Sequence, residues 1–205
     1  MFPGQRIGLM GGSFNPPHEG HRLISELALK RLRLDRIWWI VTPGNPLKAH
    51  GDLASLPERL GAARALAGDR RLVVTDFEAR LPTAFTAATL SFLKNRYPEG
   101  RFVWIMGADN LANFHRWRHW RDIFRWMPIA VIDRPGWRHR SLASKAAAAF
   151  RAGYVPEGRA ARLAQFRPPA WTLLTGPLST LSSTELRTAG GRPAGPNQGS
   201  SAGKG

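Results

Sequence analysis

The chain contains no cysteine. That excludes a disulfide scaffold, a thiolate nucleophile, and zinc or iron–sulfur sites held by cysteine. Acidic residues are scarce: Asp plus Glu is 14 against 30 for Lys plus Arg, a formal charge of +16. Lysine is scarce too, since 25 of the 30 basic residues are Arg and 5 are Lys. No apolar run approaches the roughly 18 residues that a membrane-crossing helix needs. The opening Met-Phe-Pro-Gly-Gln-Arg leads straight into a short apolar run, without the basic region, long apolar region and cleavage site of a secretion signal. The cytoplasm is the expected compartment, and no membrane partner is expected. What is present suits one globular domain: 205 residues, 43% of them apolar, enough to bury a real core. The arginine excess has a compositional explanation in a GC-rich genome. It also fits an anionic partner, whether nucleic acid, a membrane surface or a phosphorylated small molecule. Charge alone does not choose among these.

Short β-rich runs alternate with longer helical ones. Strands are predicted at residues 6–10, 37–41, 71–75, 102–107, 128–133 and 171–174. Helices are predicted at 20–34, 57–67, 86–96, 141–151 and 182–189. The alternation argues for an α/β fold, a Rossmann-like parallel sheet with helices on both faces. In such folds ligands gather outside the carboxyl ends of the strands. Residues 1–189 are read as the single folded domain. From Gly190 to Gly205 the composition turns to Gly, Pro, Ser and Ala, which reads as a disordered tail.

Two stretches carry chemistry. The first is Gly11-Gly12-Ser13-Phe14-Asn15-Pro16-Pro17-His18-Glu19-Gly20-His21, between the first strand and the first helix. Gly11 and Gly12 let a bulky ligand approach the backbone. His18 and His21 stand at a helix start, where backbone N–H groups and the positive dipole end favour an anion. Two imidazoles there can donate hydrogen bonds to phosphate oxygens, and as loop residues they are expected to make few core contacts. The second stretch is Ser182-Ser183-Thr184-Glu185-Leu186-Arg187. Ser182 and Glu185 have the spacing of a capping box, which needs no function. The same helix start offers hydroxyls and N–H groups to an anion, with Arg187 one turn on, able to fork onto a phosphate.

Together, His-x-Gly-His and a late Ser-Ser-Thr-x-Leu-Arg resemble the paired signature of the nucleotidylyltransferase superfamily. Within it the chain is similar to the bacterial nicotinate-nucleotide adenylyltransferases, from about Ile7 to Arg187. The narrowing rests on Thr86-Ala87-Ala88-Thr89-Leu90, Gly107-Ala108-Asp109-Asn110-Leu111 with Trp117 beyond, and Arg134-Pro135-Gly136. The resemblance implies adenylyl transfer from ATP to nicotinate mononucleotide, giving nicotinate adenine dinucleotide and pyrophosphate. It implies that His18 and His21 are catalytic and bind the ATP phosphates, beside Gly11, Gly12, Ser13 and Phe14. Ser183, Thr184 and Arg187 would hold the outer phosphates. Gly107 and Asp109 would border the adenosine, with Arg134 on the nucleotide side. Lys48 would sit near the mononucleotide phosphate, and Thr86 and Trp117 would hold the nicotinate ring. Mg²⁺ would be bound mainly through the ATP phosphates, and no residue is assigned as a metal ligand. An oligomer is compatible with the sequence, and no nucleic-acid partner is expected.

The chain departs from that family's usual pattern in places. Asn15 stands where Asp is usual, Leu47 precedes Lys48 where His is frequent, and Phe85 replaces a common Tyr. Other candidates are weaker. Gly199 to Lys204 imitates a phosphate-binding loop but has three residues between its glycines and no Ser or Thr after the Lys. His115 and His119 have the spacing of metal ligands on a helix without an intervening Glu, and both are expected to be exposed. Residues 114–126 interleave Arg and His with Trp and Phe. This can be a base-stacking surface, an interfacial helix, or a helix whose apolar side is core.

Overall fold

The computed structural model describes residues 4–44, 53–81 and 85–176. Six strands form one parallel sheet: β1 (Arg6–Gly12), β2 (Arg36–Val41), β3 (Leu72–Thr75), β4 (Arg101–Gly107), β5 (Ile129–Ile132) and β6 (Trp171–Leu174). Their spatial order is β3-β2-β1-β4-β5-β6. Seven α-helices lie among the described residues: α1 (Glu19–Arg31), α2 (Leu56–Ala67), α3 (Thr86–Arg96), α4 (Ala108–Asn113), α5 (Trp120–Trp126), α6 (Arg138–Leu142) and α7 (Lys145–Ala149). The order reverses between β1 and β4. At that switch point the loops leaving the two strands part to opposite faces and open a crevice at their carboxyl ends.

Successive strand residues face opposite sides, so one sheet feeds two cores. In β4, Val103 and Ile105 join one core with Ala28 and Leu29 of α1, Leu60 and Ala63 of α2, and Leu163. Phe102, Trp104 and Met106 join the other, with Leu90 of α3, Leu111 of α4, Phe124 of α5 and Ala147 of α7. Both faces are therefore covered, as the strand–helix alternation predicts. Among the described residues no helix is long and apolar enough to cross a membrane.

The boundaries differ in informative ways. β1 runs on through Gly11 and Gly12, which pair with Ile40 and Val41, so the loop begins at Ser13. Gly11 is needed there because a Cβ would press on the Trp104 ring at 2.7 Å. Helix α1 ends at Arg31 rather than residue 34, because Arg33 takes a left-handed φ of 51°. The helix expected over 141–151 is two helices, since the Ser144 hydroxyl accepts the Ala147 N–H and starts a new one. Residues 114–126 are not one helix either. His119 is left-handed, with φ 56°, and separates a 3-10 turn (Phe114–Arg116) from α5. Phe114, Trp120 and Phe124 point into the core, so the third of the three readings of this stretch is the one the packing supports. Short helices α4 and α6, and a 3-10 run over Glu157–Gln165, were not legible as separate elements. The predicted helix over 182–189 and the tail 190–205 lie outside the described residues.

Candidate active site

The loop after β1 is built around a ring stack. Phe14 is held at φ 47° with its ring buried, stacked 5.2 Å from Trp39 and tilted against His21 at 4.7 Å. What Phe14 can offer a nucleotide is therefore its backbone. The His18 and His21 rings lie 3.9 Å apart. The His18 N–H donates to His21 Nδ1 at 3.2 Å, and the His21 N–H donates to the His18 carbonyl at 2.8 Å. This reciprocal pair closes the helix start without a Ser, Thr or Asp cap. Below it, Ser25 Oγ donates to the His21 carbonyl and accepts from Trp39 Nε1, both at 2.8 Å. His21 is thus embedded among rings, contrary to the expectation of few core contacts. Burial, then the neighbouring His18 and the charge of Arg134, lower its pKa to about 3. It is neutral at physiological pH. With Nδ1 accepting, its proton sits on Nε2, where it can be donated.

The loops after β4 and β5 form the facing wall. Gly107 ends β4, and Asp109 stands in the first turn of α4. A side chain at Gly107 would collide with Asp109 Oδ1, so the missing Cβ is what lets that carboxylate fold back over the strand end. Asp109 Oδ2 accepts from Arg134 at 3.0 Å, while Oδ1 is buried with no hydrogen-bond partner among the described residues. An acceptor in that state is a place for a ligand hydroxyl. Arg134 also acts electrostatically on His21, so the two walls lie within range of each other. The structure therefore gathers Gly11, Gly12, Ser13, Phe14, His18, His21, Gly107, Asp109 and Arg134 around the switch point.

Thr86 and Trp117 belong to an adjoining group. Thr86 opens α3, which has no side-chain cap and no acidic residue in its first turn. The Arg118 guanidinium lies 5.1 Å above the ring of Phe85, which brings the segment of Trp117 to the start of α3. Trp117 is half-buried and leans on Phe114 with ring centroids 5.0 Å apart. Lys48, Ser183, Thr184 and Arg187 lie outside the described residues, as does Leu47.

Three residues escaped sequence reasoning. Arg59 is buried and, among the described residues, bonds only to backbone carbonyls. Its signal was available: with Leu56, Leu60, Ala63 and Ala67 it falls on the buried stripe of α2, where a charge is unusual. Glu78 is buried and accepts from the Thr89 hydroxyl; burial raises its pKa, while bonds from Thr89 and Thr42 restrain the rise. Arg118 had no signal beyond a general basic stretch. Asn15 is also buried, and its amide oxygen accepts the Ala54 N–H at 3.1 Å. His115 is half-buried rather than exposed, and the left-handed turn at His119 takes the two histidines off a common helix. Among the described residues no group of three or more His, Asp or Glu side chains forms a metal cage.

A family model described as cytidylyltransferase-like matches residues 9–189. The chain is 57% identical over 183 residues to a protein of Methylorubrum extorquens named "Probable nicotinate-nucleotide adenylyltransferase", covering 89% of this chain and 99% of the relative. A Rhizobium johnstonii protein of the same name is 54% identical over 184 residues, covering 90% and 92%. Among solved structures, Plasmodium falciparum nicotinic acid mononucleotide adenylyltransferase complexed with NaAD superposes with a TM-score of 0.68 at 16% identity. That match covers 90% of this chain and 83% of the other, and shows a shared fold.

Proposed function

The chain belongs to the cytidylyltransferase-like family, in the branch of the nicotinate-nucleotide adenylyltransferases, and from that membership and the crevice geometry we infer how it transfers an adenylyl group from ATP to nicotinate mononucleotide. A phosphate oxygen of the mononucleotide attacks the α-phosphorus of ATP in line. The new P–O bond forms as the bond from the α-phosphorus to the bridging oxygen breaks, and pyrophosphate leaves with the electron pair. No protein nucleophile is needed. Catalysis is positioning plus stabilisation of charge developing on the leaving group.

The observation that carries this reading is the His18–His21 pair at the start of α1, facing Arg134 and Asp109 across the switch point. His21 donates from Nε2 to an outer phosphate, and His18 is assigned beside it. Being neutral, His21 stabilises growing negative charge without a prior strong hold on the ground state. Asp109 Oδ1 receives a ribose hydroxyl, and Arg134 steadies that carboxylate. Ser183, Thr184 and Arg187 take the outer phosphates, and Lys48 the mononucleotide phosphate. Thr86 and the Trp117 indole receive the nicotinate ring, the indole by stacking.

Mg²⁺ fits this site as part of a Mg–ATP substrate, held by phosphates and water. Its preference for keeping several waters suits a crevice whose nearest carboxylate already faces Arg134 and whose Asn15 oxygen is taken by Ala54. A cytoplasmic setting follows from the two soluble substrates, and nothing in the reaction calls for a nucleic-acid partner.

The deciding experiment is pyrophosphate release from ATP across a panel of phosphorylated acceptors. Nicotinate mononucleotide should be used best, with nicotinamide mononucleotide behind it. Turnover of phosphopantetheine without either mononucleotide would move the chain to another adenylyltransferase branch. Salt-sensitive oligonucleotide binding without any turnover would replace the enzyme reading altogether.

A further inference from the structure

Arg59 has no place in the mechanism above, yet it is among the most buried charges in the fold, 2% exposed. Its guanidinium reaches three chain segments. Nε donates to the Ala54 carbonyl at 2.8 Å. One terminal nitrogen donates to the carbonyls of Ser13 at 2.8 Å and Thr42 at 2.7 Å, and the other to that of Pro43 at 3.1 Å. Among the described residues no carboxylate pairs with it. Carbonyl dipoles take four of its five N–H hydrogens but leave its positive charge uncancelled, and an arginine does not shed that charge.

The Ser13 bond is the informative one. In a trans peptide the C=O and the following N–H point in opposite directions. Drawing the Ser13 carbonyl onto Arg59 therefore turns the Phe14 N–H away from the clamp. That N–H has no hydrogen-bond partner among the described residues. Phe14 also sits at φ 47°, a conformation a bulky residue holds only when its surroundings enforce it. The ring stack enforces it from one side and the Arg59 bond from the other. The same guanidinium fixes the end of β2 through Thr42 and Pro43, while Thr42 N–H donates to the Gly12 carbonyl at 3.0 Å. Ala54 is gripped at both ends of its residue, by Arg59 at the carbonyl and Asn15 at the N–H.

We propose that Arg59 is a positioning residue for adenylyl transfer: it holds the Ser13–Phe14 peptide so that the Phe14 N–H faces the ATP phosphates, and it sets one uncancelled positive charge beneath them. The proposal rests on the reading of the loop after β1 as the triphosphate site. It assigns Arg59 no contact with substrate.

The test compares Arg59→Lys and Arg59→Gln with the wild type. Three readouts are taken: melting temperature, affinity for inorganic pyrophosphate, and the separate kcat and KM values for ATP and nicotinate mononucleotide. Lys keeps the charge and can bond some of the carbonyls; Gln loses the charge. Pyrophosphate affinity and kcat should fall about tenfold for Lys and about a hundredfold for Gln, the range of a misplaced catalytic contact. The KM for nicotinate mononucleotide should change less than threefold. Folded variants with unchanged pyrophosphate affinity and kcat would overturn the proposal. So would a uniform loss for both substrates that merely tracks the melting temperature.

A second measurement does not depend on the variants folding. In the wild type, the Phe14 amide resonance should shift on addition of pyrophosphate, and an unmoved resonance would overturn the assigned orientation. A wild-type chain that binds neither ATP nor pyrophosphate would overturn the reading of the site itself, and this proposal with it.

Discussion

On the β1 side of the crevice, His18 and His21 stand among rings and backbone carbonyls; on the β4 side, Asp109 and Arg134 stand as an ion pair. The two walls solve the same task with different materials. The histidine wall is fixed by packing: Phe14, Trp39 and Ser25 leave His21 little room, and burial keeps it neutral. The acid wall is fixed by charge: Arg134 holds one carboxylate oxygen at 3.0 Å and leaves the other for a ligand. Packing suits a group that must be in place before charge develops. An ion pair with a spare acceptor suits a group that binds and releases a hydroxyl on every turnover.

Substitutions should separate the walls. The largest effect is expected on the histidine wall. His18→Ala or His21→Ala should lower kcat by on the order of 10²–10³, as for loss of one donor to a developing charge. His21→Ala should also cost about 1–2 kcal/mol of stability through its ring contacts. Pre-steady-state turnover and urea unfolding would read the two effects, and near-normal turnover in either variant would remove that residue from the chemistry. Asp109→Asn comes next. It should raise the KM for ATP about tenfold, the loss of one charge-assisted hydrogen bond, with little change in kcat. A fall in kcat with unchanged KM would put Asp109 in the wrong role.

Trp117→Ala tests the adjoining pocket. It should raise the KM for both mononucleotides several-fold, consistent with one lost stacking partner of about 1 kcal/mol, and leave that for ATP unaltered. The smallest change is expected for Asn15→Asp. A carboxylate oxygen can accept the Ala54 N–H as the amide does, so activity should stay within about threefold, within what one retained hydrogen bond permits. Abolished activity in a folded variant would show that the amide nitrogen matters.

The walls should also differ in titration. The His21 ring, measured by NMR, should show no inflection near its ordinary 6.5 and should protonate only at about 3. The stability this contributes is full above 6.5 and drains away as pH falls toward 3. An inflection near 6.5 would mean the ring stack is open in solution.

The sequence revealed the strands, the long helices and the Gly-Gly–His-x-Gly-His stretch because each follows from local pattern. Apolar runs between turn residues mark β1, β2 and β4, and the two histidines stand where a helix must begin. The short helices escaped because tertiary caps and kinks set them. The Ser144 hydroxyl divides one Ala-rich run, and the left-handed His119 divides an aromatic one. Arg59 escaped for a deeper reason. Its partners are carbonyls of Ser13, Thr42, Pro43 and Ala54, and a carbonyl has no letter in the sequence. Asp109 was assigned to the ribose by resemblance, but only the geometry shows that Gly107 exists to make room for it.

The buried carboxyl of Glu78 has a consequence for the protons of the whole molecule. Folding removes a proton from His21 in mild acid, because the imidazole's pKa drops. It acts the other way at Glu78, because desolvation favours the neutral carboxyl. The stability contributed by the raised carboxyl is full below its ordinary 4.5 and fades as pH climbs, the reverse of the imidazole. Just above 4.5 the two slopes oppose each other, the imidazole favouring the fold as pH rises and the carboxyl disfavouring it. Acid thus acts on the fold in opposite senses at these two buried groups.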